Sequence, residues 1–199
     1  MSIFHKIPET RYTLDAVIKY ITDSPKHSGK VLYYDGVMVN PFDAALSMLL
    51  IKHIYAKEGG SQYKHFIISL EENETPEYLY TAPQISDGRC FPWMAFSEIA
   101  WMMGQTCNCQ AVYAVHTNTK HVHMHVVMNS VNFDGEKLNL DYRLFITLIQ
   151  KINEILKNRG LKEIRTYSGF AINNGEVVDV PQDIPRWEKS YRPLEAANI

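Results

Sequence analysis

The sequence predicts an α+β fold, a largely antiparallel central β-sheet flanked by helices. Three observations predict it. Stretches that alternate apolar and polar residues are interspersed with stretches of 3.6-residue apolar periodicity. Two of the strongest strands, 110–116 and 121–131, are separated by only a short turn, so they pair as a hairpin. A chain of 199 residues, 46% hydrophobic, is long enough for one domain with a sizeable core.

Thr13 to Asp23 reads as a helix: Leu14, Val17, Ile18 and Ile21 form one stripe, Asp15 suits the first turn and Pro25 stops it. Lys30 to Tyr34 is a short strand before a turn at Asp35-Gly36. Pro41 to Lys57 is a second helix, with Asn40 as N-cap, Pro41 in the first position and Gly59-Gly60 beyond its end. Tyr63 to Leu70 alternates and is a strand, whereas Glu71 to Arg89 is polar and loop-like. Pro92 to Gly104 is a third helix. After the hairpin, Asp134-Gly135 marks a turn, and Asp141 to Arg159 is a long amphipathic helix closed by Gly160. Asn173-Asn174-Gly175 is a hairpin turn, and the tail from Pro181 reads as irregular. The expected division is a main domain over 1–165 and an extension over 166–199.

A net charge of −2 gives no global basic field, so any nucleic-acid partner must be met by local patches. The three cysteines, Cys90, Cys107 and Cys109, do not form a disulfide framework; Cys107 and Cys109 could ligate a metal but read more simply as buried strand residues, and the cytoplasm is the expected compartment. The start is no secretory signal, and no apolar run reaches the length of a membrane span.

Four of the eight histidines, His116, His121, His123 and His125, fall within ten residues. Imidazole is the commonest protein metal ligand. On a strand, His121, His123 and His125 line one face while Val122, Met124 and Val126 line the other, and His116 closes the site from the neighbouring strand. The plain alternative is an exposed polar face, but the clustering favours a metal site. One divalent ion is expected, manganese, magnesium or zinc. Bound by imidazoles alone, it leaves positions open for oxygen atoms and can act as a Lewis acid on a phosphoryl group.

The run His116-Thr-Asn-Thr-Lys-His121-Val-His123-Met-His125-Val-Val-Met-Asn129 resembles the third motif of MobP-type conjugative relaxases, mobilisation nucleases of the HUH class. Ile18-Lys19-Tyr20-Ile21-Thr22-Asp23 is similar to the family's nucleophile motif, and His65-Phe66-Ile67-Ile68-Ser69 to its serine motif. The resemblance covers about Lys6 to Gly160 and implies a relaxase-like sandwich. It further implies nicking of one DNA strand at an origin of transfer, by attack of a tyrosine that stays linked to the new 5′ end. It implies a metal held by His116, His123 and His125, Tyr20 as nucleophile, and His121 as a spare ring that accepts a proton, touches DNA or orients a ligand. Tyr12 is the nearest rival to Tyr20. Helix geometry sets Tyr20 roughly 120° from the centre of the apolar stripe, facing outward.

The departure from the family pattern is Asn118, where an aspartate is common; asparagine accepts a hydrogen bond but cannot take a proton. Ser69 and Asn129 are expected to position phosphate, and Lys19, Lys26, Lys30, Lys64 and Lys120 to contact single-stranded DNA. Accessory DNA-processing proteins are the further partners implied. The family's members carry additional domains, which would make this chain a fragment or a minimal form. Two other readings stay open: a metal-dependent phosphodiesterase that uses water, and a DNA-binding relative that does not cut. A cupin-like oxygenase fits poorly, because helices separate the strands.

Overall fold

In the computed structural model the residues described are 2–7, 13–23, 31–71, 92–167, 170–173 and 176–179. Among the described residues eight strands form one sheet: β1 (Ser2–Ile7), β2 (Val31–Val37), β3 (Tyr63–Ser69), β4 (Ala111–His116), β5 (His123–Asn129), β6 (Ile164–Tyr167), β7 (Phe170–Asn173) and β8 (Glu176–Asp179). Their order is β2-β4-β5-β3-β1-β6-β7-β8, antiparallel throughout except between β1 and β6. The expected α+β class with a largely antiparallel sheet is what the chain forms.

Helices cover both faces. On one side lie α1 (Leu14–Asp23) and α2 (Ala44–Ile54); on the other lie α3 (Pro92–Thr106) and α4 (Tyr142–Asn158). The pleat divides each strand between two cores. Phe66, Ile68, Tyr113, Val115, Met124, Val126 and Met128 pack on Phe96, Ile99, Met103, Leu148, Ile149 and Ile152. Tyr63, Val112, Ala114 and Val127 meet Leu14, Val17, Ile18, Ile21, Ala44 and Met48. The predicted stripe of α1 is therefore its buried face. Thr13 Oγ1 accepts from the Ala16 backbone N–H at 3.2 Å and opens that helix. Asp141 caps α4 through the Leu144 N–H at 2.8 Å, and Gly160 follows with φ 70°.

Several boundaries differ from expectation. The chain does not turn at Asp35-Gly36; β2 runs on to Val37 and turns at Met38, with φ 54°. Glycine is needed at 36 because a Cβ there would run into the Val39 carbonyl as the chain folds back. Helix α2 starts at Ala44, with Asp43 as its N-cap residue. Asn40 instead closes a preceding turn, its Oδ1 accepting from Phe42 N–H at 3.1 Å. Cys107 and Cys109 are buried in the turn between α3 and β4, not in a strand. The loop 71–89 beyond Glu71, together with Tyr12, Lys26, Lys30, Cys90, Asn174-Gly175 and the tail from Pro181, lies outside the described residues. Strands β7 and β8 pair antiparallel with Asn173 opposite Glu176.

Candidate metal centre and nucleophile

Strands β4 and β5 pair with His116 opposite His123 and Ala114 opposite His125. Directly opposed residues share a face, and residues two apart on a strand share it too. His116, His123 and His125 thus converge on the side covered by α1. All three are buried, and their ligand atoms lie within 4.8 Å of one another. Ring centroids are separated by 4.6 Å for His116 and His125, 5.3 Å for His123 and His125, and 5.5 Å for His116 and His123.

The hydrogen bonds fix which nitrogen of each ring can face the cluster. A carbonyl oxygen only accepts. His116 Nε2 must therefore be the protonated atom that donates to the Ile21 carbonyl at 2.7 Å, which leaves Nδ1 bare. His123 Nδ1 donates to the His121 carbonyl at 3.0 Å, leaving Nε2 bare. His125 Nδ1 meets Nε2 of His65 at 2.9 Å, so its own Nε2 is the atom turned to the cluster. Bare imidazole nitrogens gathered at one point, each ring held from behind, fit a divalent transition metal. Among the described residues no carboxylate or thiol joins this group.

His65, which sequence reasoning missed, lies on β3 two residues from Ile67, the register partner of both His5 and His125. His5, His65, His116, His123 and His125 consequently share one face of the sheet. Burial chiefly, helped by charge on His5 and His116, lowers the His65 pKa from 6.5 to about 3. His65 stays neutral at physiological pH.

Tyr20 does not point freely to solvent. It is half-buried on the flank of α1, and its ring meets His125 edge-on at 6.1 Å and 87°. The helical-wheel geometry placed it correctly off the apolar stripe. The flank it occupies overlooks the histidine rings because α1 lies across this face of the sheet. His121 departs further from expectation. It precedes β5, in the loop 117–122, and its Nδ1 donates to the Leu70 carbonyl at 2.9 Å, so it stands outside the converging triad.

The remaining site residues separate. Ser69 is opposite His123 and shares its face. Lys19 is exposed and pairs with Asp15 at 2.9 Å, and Lys120 is exposed in the hairpin loop. Lys64 alternates with the histidine face and donates to Ser61 Oγ at 3.1 Å, so it stands on the wrong side of the sheet for this site. Asn129 is fully buried; its Nδ2 donates to the Met48 carbonyl and to Gln110 Oε1, both at 3.1 Å, and its Oδ1 accepts from Val131 N–H. It joins α2 to the sheet, with both ends of its side-chain amide engaged inside the protein. Asn118 lies in the same loop as His121, with its Oδ1 buried.

A sheet that gathers histidines from adjacent strands under a helix-borne tyrosine is the architecture of an HUH-type nuclease. Residues 20–161 match the model of the relaxases, MobA/VirD2-like, nuclease domain, and the chain belongs to that family. It is also similar to a solved structure described as the molecular basis of vancomycin resistance transfer in Staphylococcus aureus. That likeness has 11% sequence identity and a TM-score of 0.45, over 67% of this chain and 74% of that one. No curated protein sequence matches it significantly. Among the described residues no helix is long and apolar enough to cross a membrane.

Proposed function

We propose that this relaxase nuclease domain nicks single-stranded DNA at an origin of transfer by transesterification, with Tyr20 as the nucleophile. The observation that carries the reading is the stacking of Tyr20 edge-on over His125, within the triad of His116, His123 and His125. Those three rings would hold one divalent metal. When bound, the ion supplies positive charge for a phosphoryl oxygen.

The chain's own residues do the rest. The Tyr20 hydroxyl oxygen attacks the scissile phosphorus; a phosphotyrosyl bond forms, and the bond to the departing 3′ oxygen breaks. The phenol proton must leave as this happens, because a free tyrosine has a pKa of about 10. Asn118 cannot accept it. His121, whose Nδ1 donates to Leu70 and whose Nε2 carries the lone pair, is the candidate acceptor outside the triad. Ser69, beside His123, and the exposed Lys19 and Lys120 are assigned to the DNA backbone, with Lys26 in the same role by its place in the sequence. We take 1–165 as the nuclease domain and 166–199 as an extension whose strands β7 and β8 prolong the sheet. A cytoplasmic setting and accessory DNA-processing proteins accord with this activity.

The test is mass spectrometry of the protein after reaction with an oligonucleotide carrying the cognate origin. The expected result is an adduct on Tyr20 that Tyr20→Phe abolishes while metal and DNA binding persist. Cleavage without an adduct, unaffected by Tyr20→Phe, overturns the reading in favour of attack by water. DNA binding without cleavage in the metal-loaded protein identifies a relative that recognises DNA and does not cut.

A further inference from the structure

Behind the three rings stands a fourth that no ligand set includes. We infer that His65 is a positioning residue for the metal centre, its Nε2 accepting the Nδ1–H of His125 and so presenting His125 Nε2 to the ion. This rests on the three-histidine site described above.

His65 Nε2 and His125 Nδ1 are 2.9 Å apart, and both side chains are buried. With Nδ1 engaged, Nε2 is the ring atom of His125 left to bind a metal. A ligating nitrogen must be bare, so the single proton of a neutral His125 sits on Nδ1, and Nδ1 donates. His65 must then accept through Nε2 and carry its own proton on Nδ1. His116 and His123 are held in the same manner by backbone carbonyls, of Ile21 and His121. Thr119 Oγ1 also lies 3.3 Å from His123 Nδ1, but His125 is the ligand whose ring is met by another imidazole, and a substitution at His65 can release its orientation.

The chemical identity of the partner matters. A carboxylate in this place would orient the ring equally well but add a negative charge beside the ion. A neutral imidazole orients the ring and leaves the charge of the ion undiminished for a phosphate. Among the described residues the cluster contains imidazoles alone, consistent with a site that keeps its full positive charge.

The experiment is a titration of the full chain with Co²⁺, read by the ligand-field absorption of the bound ion, for wild type, His65→Gln and His65→Leu. Glutamine can accept a hydrogen bond through its amide oxygen; leucine fills similar space and cannot. The expected result is a loss of about 10–100-fold in cobalt affinity and an altered spectrum for His65→Leu. His65→Gln should stay within a few-fold of wild type. Wild-type affinity and spectrum in His65→Leu would overturn the inference. Absence of cobalt binding in wild type would overturn the three-histidine site itself. Should His65→Leu fail to fold by circular dichroism, ¹⁵N NMR of imidazole-labelled wild type decides. A proton on His125 Nδ1 and a bare Nε2 support the inference; a proton on Nε2 overturns it.

Discussion

Lowering the pH from 7 to 5 should destabilise the metal-free protein by about 2 kcal/mol through His65 alone. Its folded pKa is about 3 against an ordinary 6.5, because burial and nearby charge on His5 and His116 disfavour the imidazolium. Below pH 6.5 the unfolded chain takes up a proton on this residue that the folded chain refuses. Stability is therefore intact above the unfolded pKa and declines as pH falls toward the folded one. At pH 7 the unfolded ring is mostly neutral, and the loss is a few tenths of a kcal/mol. At pH 5 it lies about 1.5 pH units below its pKa, and at about 1.4 kcal/mol per unit the loss reaches about 2 kcal/mol. Urea denaturation in the presence of a chelator, at pH 7 and pH 5, measures the difference. His65→Gln removes the titrating group, so its drop between the two pH values should be smaller by about that amount. Equal drops in wild type and His65→Gln would refute the reasoning.

Joint replacement of His123 and His125 by alanine should reduce metal content to background by elemental analysis while the folded circular dichroism spectrum persists. Undiminished content would place the ion elsewhere. Affinity for single-stranded DNA should fall with added salt along a linear log–log plot, each phosphate contact contributing about −0.7 to the slope; binding insensitive to salt would exclude the lysine contacts. Asn129→Ala should cost about 2–4 kcal/mol of stability, since it removes three buried hydrogen bonds and strands their partners. Where that variant remains folded it should bind DNA as wild type does, and a selective loss of DNA affinity would restore Asn129 to the phosphate site.

What was legible in the sequence is what local periodicity dictates. The apolar stripe of α1, the cap and closing glycine of α4, and the hairpin of β4 and β5 each depend on residues near in sequence, and each is present. Strand β1 was not legible. Its six residues stand at the start of the chain, and its partners, β3 and β6, are distant in sequence. The insertion of β3 beside β5, rather than next to β2, is likewise a non-local choice. That choice brings His65 against His125, a contact that the motif containing His65 does not reveal. Alternation within β3 does put His65 and Ser69 on one face, but only the sheet order reveals that this face is the one carrying the histidine triad.

Tyr20 shows how a correct local geometry can give an incomplete answer. Helical periodicity sets it off the apolar stripe, and outward was the natural conclusion. The missing term is where the helix lies and how its end is tied down. The last four carbonyls of a helix have no intrahelical partner. Ile21 is in the last turn of α1, and its carbonyl receives the Nε2–H of His116. One bond thus does two things. It orients a ring of the triad, and it anchors the turn that carries Tyr20, the preceding residue. The tyrosine and the metal site are consequently placed relative to each other by the backbone. Side-chain changes on the outer face of α1, such as at Lys19, should leave that placement intact, whereas loss of the His116 ring removes a candidate ligand and loosens the anchorage of Tyr20 together.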